Sequence, residues 1–109
     1  MSNTPTLKLK GASGREYAFL VYPWGREFKS VGAVYAATRC TSNTGEGTHT
    51  IVYIGQTADP SERFDNHHKA DCLRRHGVNC ICVHEETNEK ARLAIGADLI
   101  AAYKPPCNG

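Results

Sequence analysis

Between Tyr17 and Ile54 short aromatic and β-branched runs alternate with polar turns, and only after Asp59 does the texture become helical. This order predicts an α+β fold, a small antiparallel β-sheet flanked by α-helices. Tyr17-Ala18-Phe19-Leu20-Val21-Tyr22 reads as a strand within 15–22, closed by the turn residues Pro23-Trp24-Gly25. Residues 31–38 and 50–54 read as an antiparallel pair joined by the polar, glycine-containing loop 41–48. Asp59 as N-cap, Pro60 at N1 and Glu62 at N3 start a helix over 60–68. Gly77 marks a stop after Arg74-Arg75-His76, and because Phe64 and Leu73 share no helical face, the helix is expected to end early or break before it. A short strand at 79–84 follows. The last helix begins near Thr87, carries Ala91, Ile95, Leu99 and Ala102 at helical spacing, and is stopped by Pro105-Pro106. Residues 1–14 read as a loose N-terminal arm with a short edge strand around Leu7 and Leu9, and 15–109 as a single domain.

Composition sets further limits. Thirteen Lys and Arg against eleven Asp and Glu leave a net charge of +2, too small to attract a polyanion through bulk charge. Any nucleic-acid contact must come from local placement of cations. No apolar run approaches the roughly 18 residues of a membrane span and no leader is visible, so a soluble, cytoplasmic chain is expected. The five cysteines, Cys40, Cys72, Cys80, Cys82 and Cys107, are odd in number and irregularly spaced, which suits reduced thiols better than a disulfide framework. At least one is unpaired within the chain.

The chemistry-bearing residues follow an order. Two strands each present a tyrosine, Tyr35 and Tyr53, and the next helix sets Arg63 and His67 at i and i+4 on one face. A guanidinium grips phosphate bidentately, and His and Tyr relay protons, so the set suits a phosphodiester and its attacking water. On composition alone, packing tyrosines and a solvated Arg/His face explain the same residues.

The order and spacing of these residues resemble the GIY-YIG nuclease family. Its first motif is present imperfectly as Gly32-Ala33-Val34-Tyr35 and its second intact as Tyr53-Ile54-Gly55, followed by Gln56-Thr57. Arg63 and His67 stand where the family's helical motif places its arginine and its histidine or tyrosine. The stretch from Asp98-Leu99-Ile100 through Tyr103-Lys104-Pro105 to Asn108 resembles the closing motif, so the likeness covers about two-thirds of the chain. The resemblance implies cleavage of DNA with one divalent metal, Mg²⁺ or Mn²⁺. It makes Tyr35 and Tyr53 lining residues, with Tyr35 the base toward water. Arg63 holds the scissile phosphate, His67 positions or relays a proton, and Asn108 braces the site.

One position departs from that pattern. The family's metal-holding glutamate, three residues before Leu99-Ile100 and twelve before Asn108, corresponds here to Gly96. Asp98 lies about 200° around the helix and Glu89 about 10 Å along it, so neither is expected to substitute. Weak metal binding and impaired hydrolysis are therefore expected. A member that lost cleavage and a substitution in an active parent both account for Gly96; the otherwise intact constellation favours the second. A binding or protein-interaction module on the same fold is the alternative function.

The remaining motifs have plain readings. His67, His68, Cys72, His76, Cys80, Cys82 and His84 crowd together, but without a Cys-x-x-Cys pair they do not read as a zinc site. Cys80 and Cys82 share one strand face as buried thiols. Lys69, Arg74 and Arg75 are a solvated basic run that, beside a nuclease-like site, becomes the expected DNA-binding surface. Trp24, with Tyr22 and Phe28, is expected in the core. The chain has little surface for sequence recognition, so a homodimer or another partner is the expected source of specificity.

Overall fold

The structure, a computed structural model, describes residues 4–24, 31–42, 47–58 and 69–108. Within these residues five strands form one antiparallel sheet: β1 (Thr6–Lys10), β2 (Glu16–Pro23), β3 (Ala33–Cys40), β4 (His49–Thr57) and β5 (Cys80–Glu85), in spatial order β1-β2-β5-β3-β4. Among the described residues, two helices, α1 (Ala70–Arg75) and α2 (Glu89–Tyr103), and a final 3-10 turn (Pro106–Asn108) cover it. The α+β architecture expected from the sequence is the one observed. The expected helix over 60–68, with Arg63, His67 and His68, and Phe28 lie outside the described residues.

β3 is the spine of the sheet. It pairs with β4 on one side and β5 on the other, and every residue but Arg39 is buried, as befits a strand covered on both faces. Its alternation sorts the core. Val34 and Ala36 join Leu9, Phe19, Val21, Ile54, Cys82 and Leu99 on the face that receives α2. Ala33, Tyr35 and Ala37 join Val52, Leu73, Ile81, Val83 and Cys107 on the face that receives α1 and the 3-10 turn.

The first strand is more firmly built in than a loose arm. All five residues of β1 pair with β2, and Leu9 is buried in the α2-side core. The hairpin loop is then tied to α2, because Asp98 accepts from the Ser13 amide (2.8 Å), the Ser13 hydroxyl (2.7 Å) and the Tyr17 hydroxyl (2.8 Å). Those bonds, Ser13's hydroxyl first, hold the Asp98 carboxyl below its ordinary range.

α2 starts two residues after Thr87, with the Asn88 side chain accepting from the Ala91 amide at 3.0 Å. It ends at Lys104, whose left-handed φ of 44° closes the helix through a 2.8 Å bond to the Ile100 carbonyl, just before Pro105. Its buried positions are Arg92, Gly96 and Leu99, with Ile95 packed beside them, whereas Ala102, expected inside, is exposed. Leu93 and Ile100 point outward, so the helix has little amphipathic contrast to read.

The cysteines require a correction. Cys72 on α1 and Cys107 in the 3-10 turn form a disulfide across 35 residues, so these two are not reduced thiols. Topology brings both elements to one sheet face, which spacing along the chain could not reveal. Cys40, Cys80 and Cys82 are buried and outside the disulfide, and the odd count requires that of at least one cysteine. Closing a loop of this length restricts the unfolded chain by an amount worth about 4 kcal/mol in the loop-entropy picture. Cys72→Ser with Cys107→Ser should therefore lower the urea-unfolding free energy by about 2–4 kcal/mol; a change below about 0.5 kcal/mol would show the bridge to be ornamental.

Candidate functional site

The tyrosines are brought together by register. Tyr35 on β3 lies opposite Gly55 on β4, and Tyr53 lies opposite Ala37, which makes the two tyrosines a diagonal cross-strand pair. Their rings stand 6.0 Å apart, tilted by 39°. Gly55 is what lets them close over the backbone. A Cβ at that position would lie 2.6 Å from the Tyr35 ring carbon Cζ and hydroxyl and 2.8 Å from Cε2 of Tyr53.

A β-bulge sets which way Tyr53 points. Between Ala37 and Thr38 the pairing skips Val52, so Val52 and Tyr53 both face the α1 side while Ile51 and Ile54 face α2. Simple alternation from Ile51 would have turned Tyr53 to the opposite face. The sequence contains no marker for this extra residue.

Tyr35 is 4% exposed and Tyr53 half-buried. Burial first, then Tyr53 as neighbour and hydrogen-bond partner, push the Tyr35 phenol well above its ordinary range. It is a neutral phenol at physiological pH, suited to orienting water or phosphate by hydrogen bonds. Acting as a phenolate base would require a positive charge beside it.

Asn108 fixes the strand that carries the pair. Its Oδ1 accepts from the Ile54 amide and its Nδ2 donates to the Ile54 carbonyl, each at 2.8 Å. Ile54 is the residue between Tyr53 and Gly55, on an edge strand whose outer backbone groups need partners. Asn108 thus supplies both hydrogen bonds that a neighbouring strand would.

The basic run lies on the same side of the sheet. Lys69 precedes α1, and Arg74 and Arg75 are exposed on it, while Leu73 of that helix packs into the cluster that contains Tyr35. Arg74 reaches Asp71 at 3.1 Å, a surface pair that phosphate could displace at little cost. A cleft of about 250 Å³ between Trp24 and α1 has Arg74 in its wall. Trp24 and Tyr22 are half-buried against this core, as the sequence suggests.

Gly96 is the exception to this gathering. It lies on α2, whose Leu99 and Ile95 pack on the opposite face from the tyrosine pair. Its backbone is covered, yet nothing lies within 4 Å of where a Cβ would stand, so a side chain there has room. Asp98 is committed to Ser13 and Tyr17, and Glu89 is exposed in the first turn of α2. Among the described residues no oxygen-rich site for Mg²⁺ or Mn²⁺ is assembled. Among the described residues, the donors that do converge are sulfur and nitrogen, Cys72, His76 and Cys107.

One residue escaped the sequence reading. Arg92 is 5% exposed, its Nε donating to Gln56 Oε1 at 2.9 Å and its Nη1 to the Glu86 and Thr87 carbonyls at 3.0 Å each. A Cβ at Gly32 would press on this guanidinium and on the Glu86 carbonyl, so the glycine of the first motif makes room for it. Gln56, next after Tyr53-Ile54-Gly55, is its side-chain partner. The available signal was position: Arg92 stands four residues before Gly96 and seven before Leu99, on the buried stripe.

Comparisons with protein-family models, with curated proteins and with solved structures find no match to this chain.

Gly55→Ala should cost about 1–3 kcal/mol, because two packed rings must move to admit the methyl, and the loss should appear in urea unfolding. The Tyr35 shift makes a second prediction. A phenol raised in the folded state from the usual 10.0 stabilises fully below that pH and progressively less above it. Buried Cys82, pushed up to about 12 from 9.0 chiefly by burial, adds a decline that begins lower. Thermal unfolding followed across this alkaline range should fall less steeply for Tyr35→Phe than for the parent; parallel curves would contradict the assignment.

Proposed function

We propose that this chain is a DNA-phosphodiester-handling domain of the GIY-YIG nuclease type, with hydrolysis impaired because the described residues place no metal-holding carboxylate beside the tyrosine pair. The observation that carries the reading is the tyrosine pair closed over Gly55 and braced through Ile54 by Asn108. These four positions belong to motifs far apart in sequence, and folding makes them one unit. Packing alone asks for apolar rings, not for two hydroxyls over a glycine with an amide clamp on the residue between.

In this reading Tyr35 and Tyr53 orient the scissile phosphate and its attacking water as neutral hydrogen-bonding phenols. Arg63 supplies the positive charge that holds the phosphate and would favour proton transfer toward Tyr35. His67 relays a proton, and Lys69, Arg74 and Arg75 hold phosphates away from the reacting one. No catalytic step is assigned to Mg²⁺ or Mn²⁺ here, because position 96 offers no ligand. An introduced carboxylate has open space at that position, on the sheet face away from the tyrosines.

A binding module that never cuts is favoured by the same lack, since a cationic, tyrosine-lined face needs no metal to hold DNA. Plasmid nicking with Mg²⁺ or Mn²⁺ separates the two. The parent should nick weakly, Arg63→Ala should abolish the nicking, and Gly96→Glu, altered on the other face of the sheet, should leave it unchanged. If the parent binds DNA but cleaves no duplex, flap or single strand with either metal, the nuclease reading fails and the binding reading stands.

A further inference from the structure

We propose that Cys72, His76 and Cys107 form a redox-gated metal site for a thiophilic cation, with Zn²⁺ the ion their chemistry suits. The inference stands apart from the nuclease reading and needs none of its residues. Cys72 and His76 are four residues apart across the end of α1, and Cys107 comes from the 3-10 turn. One donor atom from each lies within 4.8 Å of the other two. Zinc bonds of about 2.3 Å to sulfur and 2.0–2.1 Å to nitrogen place tetrahedral ligands somewhat closer together than that, a shift of side chains rather than of elements. Two thiolates and an imidazole select zinc over hard cations such as Mg²⁺.

Burial is graded across the three. Cys107 is buried, Cys72 half-buried and His76 exposed, so the site opens to solvent on the imidazole side. Water can complete the tetrahedron there.

In the structure both sulfurs are bonded to each other, and a disulfide is not a thiolate ligand pair. Occupancy and oxidation therefore exclude one another. A dithiol reductant delivers two electrons: its own thiols become a disulfide, and the Cys72–Cys107 bond is replaced by two thiols. Binding Zn²⁺ releases the two thiol protons as the S–Zn bonds form. A small-molecule disulfide reverses the step, taking the electrons by exchange and ejecting the cation. Either bridge fastens α1 to the turn that carries Asn108, so the brace on Ile54 is kept in both states and weakened when the chain is reduced and metal-free.

The other thiols are poor competitors. Cys40, Cys80 and Cys82 are buried on the α2 side, and burial raises the thiols of Cys80 and Cys82.

The test uses the whole chain, reduced anaerobically with a phosphine and titrated with Co²⁺ and then Zn²⁺. The reduced chain should take up one equivalent of Co²⁺ with thiolate-to-cobalt charge-transfer absorption, and Zn²⁺ should displace it. The oxidised chain should take up none. Cys107→Ser should abolish the charge-transfer band, His76→Ala should weaken binding by at least about tenfold while leaving the disulfide able to form, and Cys82→Ala should change nothing. Absence of the band in the reduced parent, its survival in Cys107→Ser, or unchanged affinity in His76→Ala would each overturn the proposal.

Discussion

Two hydrogen bonds from the Asn108 amide to the amide and carbonyl of Ile54 hold the part of the molecule on which everything else at the site depends. β4 is an edge strand, and an edge residue with unmet backbone groups shifts and twists freely. Pinning Ile54 fixes Tyr53 before it and Gly55 after it, and Gly55 in turn admits the ring of Tyr35 from the spine strand. The same device recurs at Asn79, whose amide bonds both backbone groups of Cys40 at 2.7 and 3.0 Å. Asn108 does this along the open edge of β4, and Asn79 where β5 begins beside the end of β3. The neighbour of Asn108 is Cys107, so the disulfide to Cys72 extends the same restraint to α1 and its cations.

The two faces of the sheet do different work. On one, α2 meets both edges, touching β1 and β4, and its Asp98 ties the first hairpin while its Arg92 ties Gln56 and the turn before the helix. A guanidinium buried among neutral acceptors is costly unless its hydrogen bonds are met, and Nε and Nη1 have theirs. The other face carries the tyrosines, the short helix and the exposed cations. The larger buried cluster among the described residues lies beneath α2, and the hydroxyls and charges that could meet a polyanion are gathered on the opposite side.

The strands were legible because β-branched and aromatic residues recur between turn residues, and the antiparallel pairing of β3 with β4 follows from the polar loop that joins them. The helix stops were legible for local reasons too: Pro105 follows α2, and Gly77 adopts a φ of 72° just after α1. What the sequence hid was of another kind. The disulfide joins residues that only tertiary topology brings together, and the bulge at Val52 looks like any other strand residue. α2 concealed its inner face because Leu93 and Ile100 point outward and an arginine points inward. At the site, the motif order singles out Tyr35, Tyr53 and Asn108, and the fold sets them around one stretch of β4. Arg92 stayed hidden because a lone arginine on a helix ordinarily signals solvent.

The central claim is that the tyrosine-bearing face, with its flanking cations, holds a nucleic-acid backbone. The most direct measurement is binding of a fluorescent duplex, followed by anisotropy as salt rises from about 50 to about 200 mM, for the chain and for the combined Lys69→Ala, Arg74→Ala, Arg75→Ala variant. The account predicts saturable binding that weakens as salt rises, with the slope of log K against log salt reduced by roughly 2–3 in the variant, near one for each phosphate left without its cation. No binding at the lowest salt, or a slope untouched by removing all three charges, would contradict it.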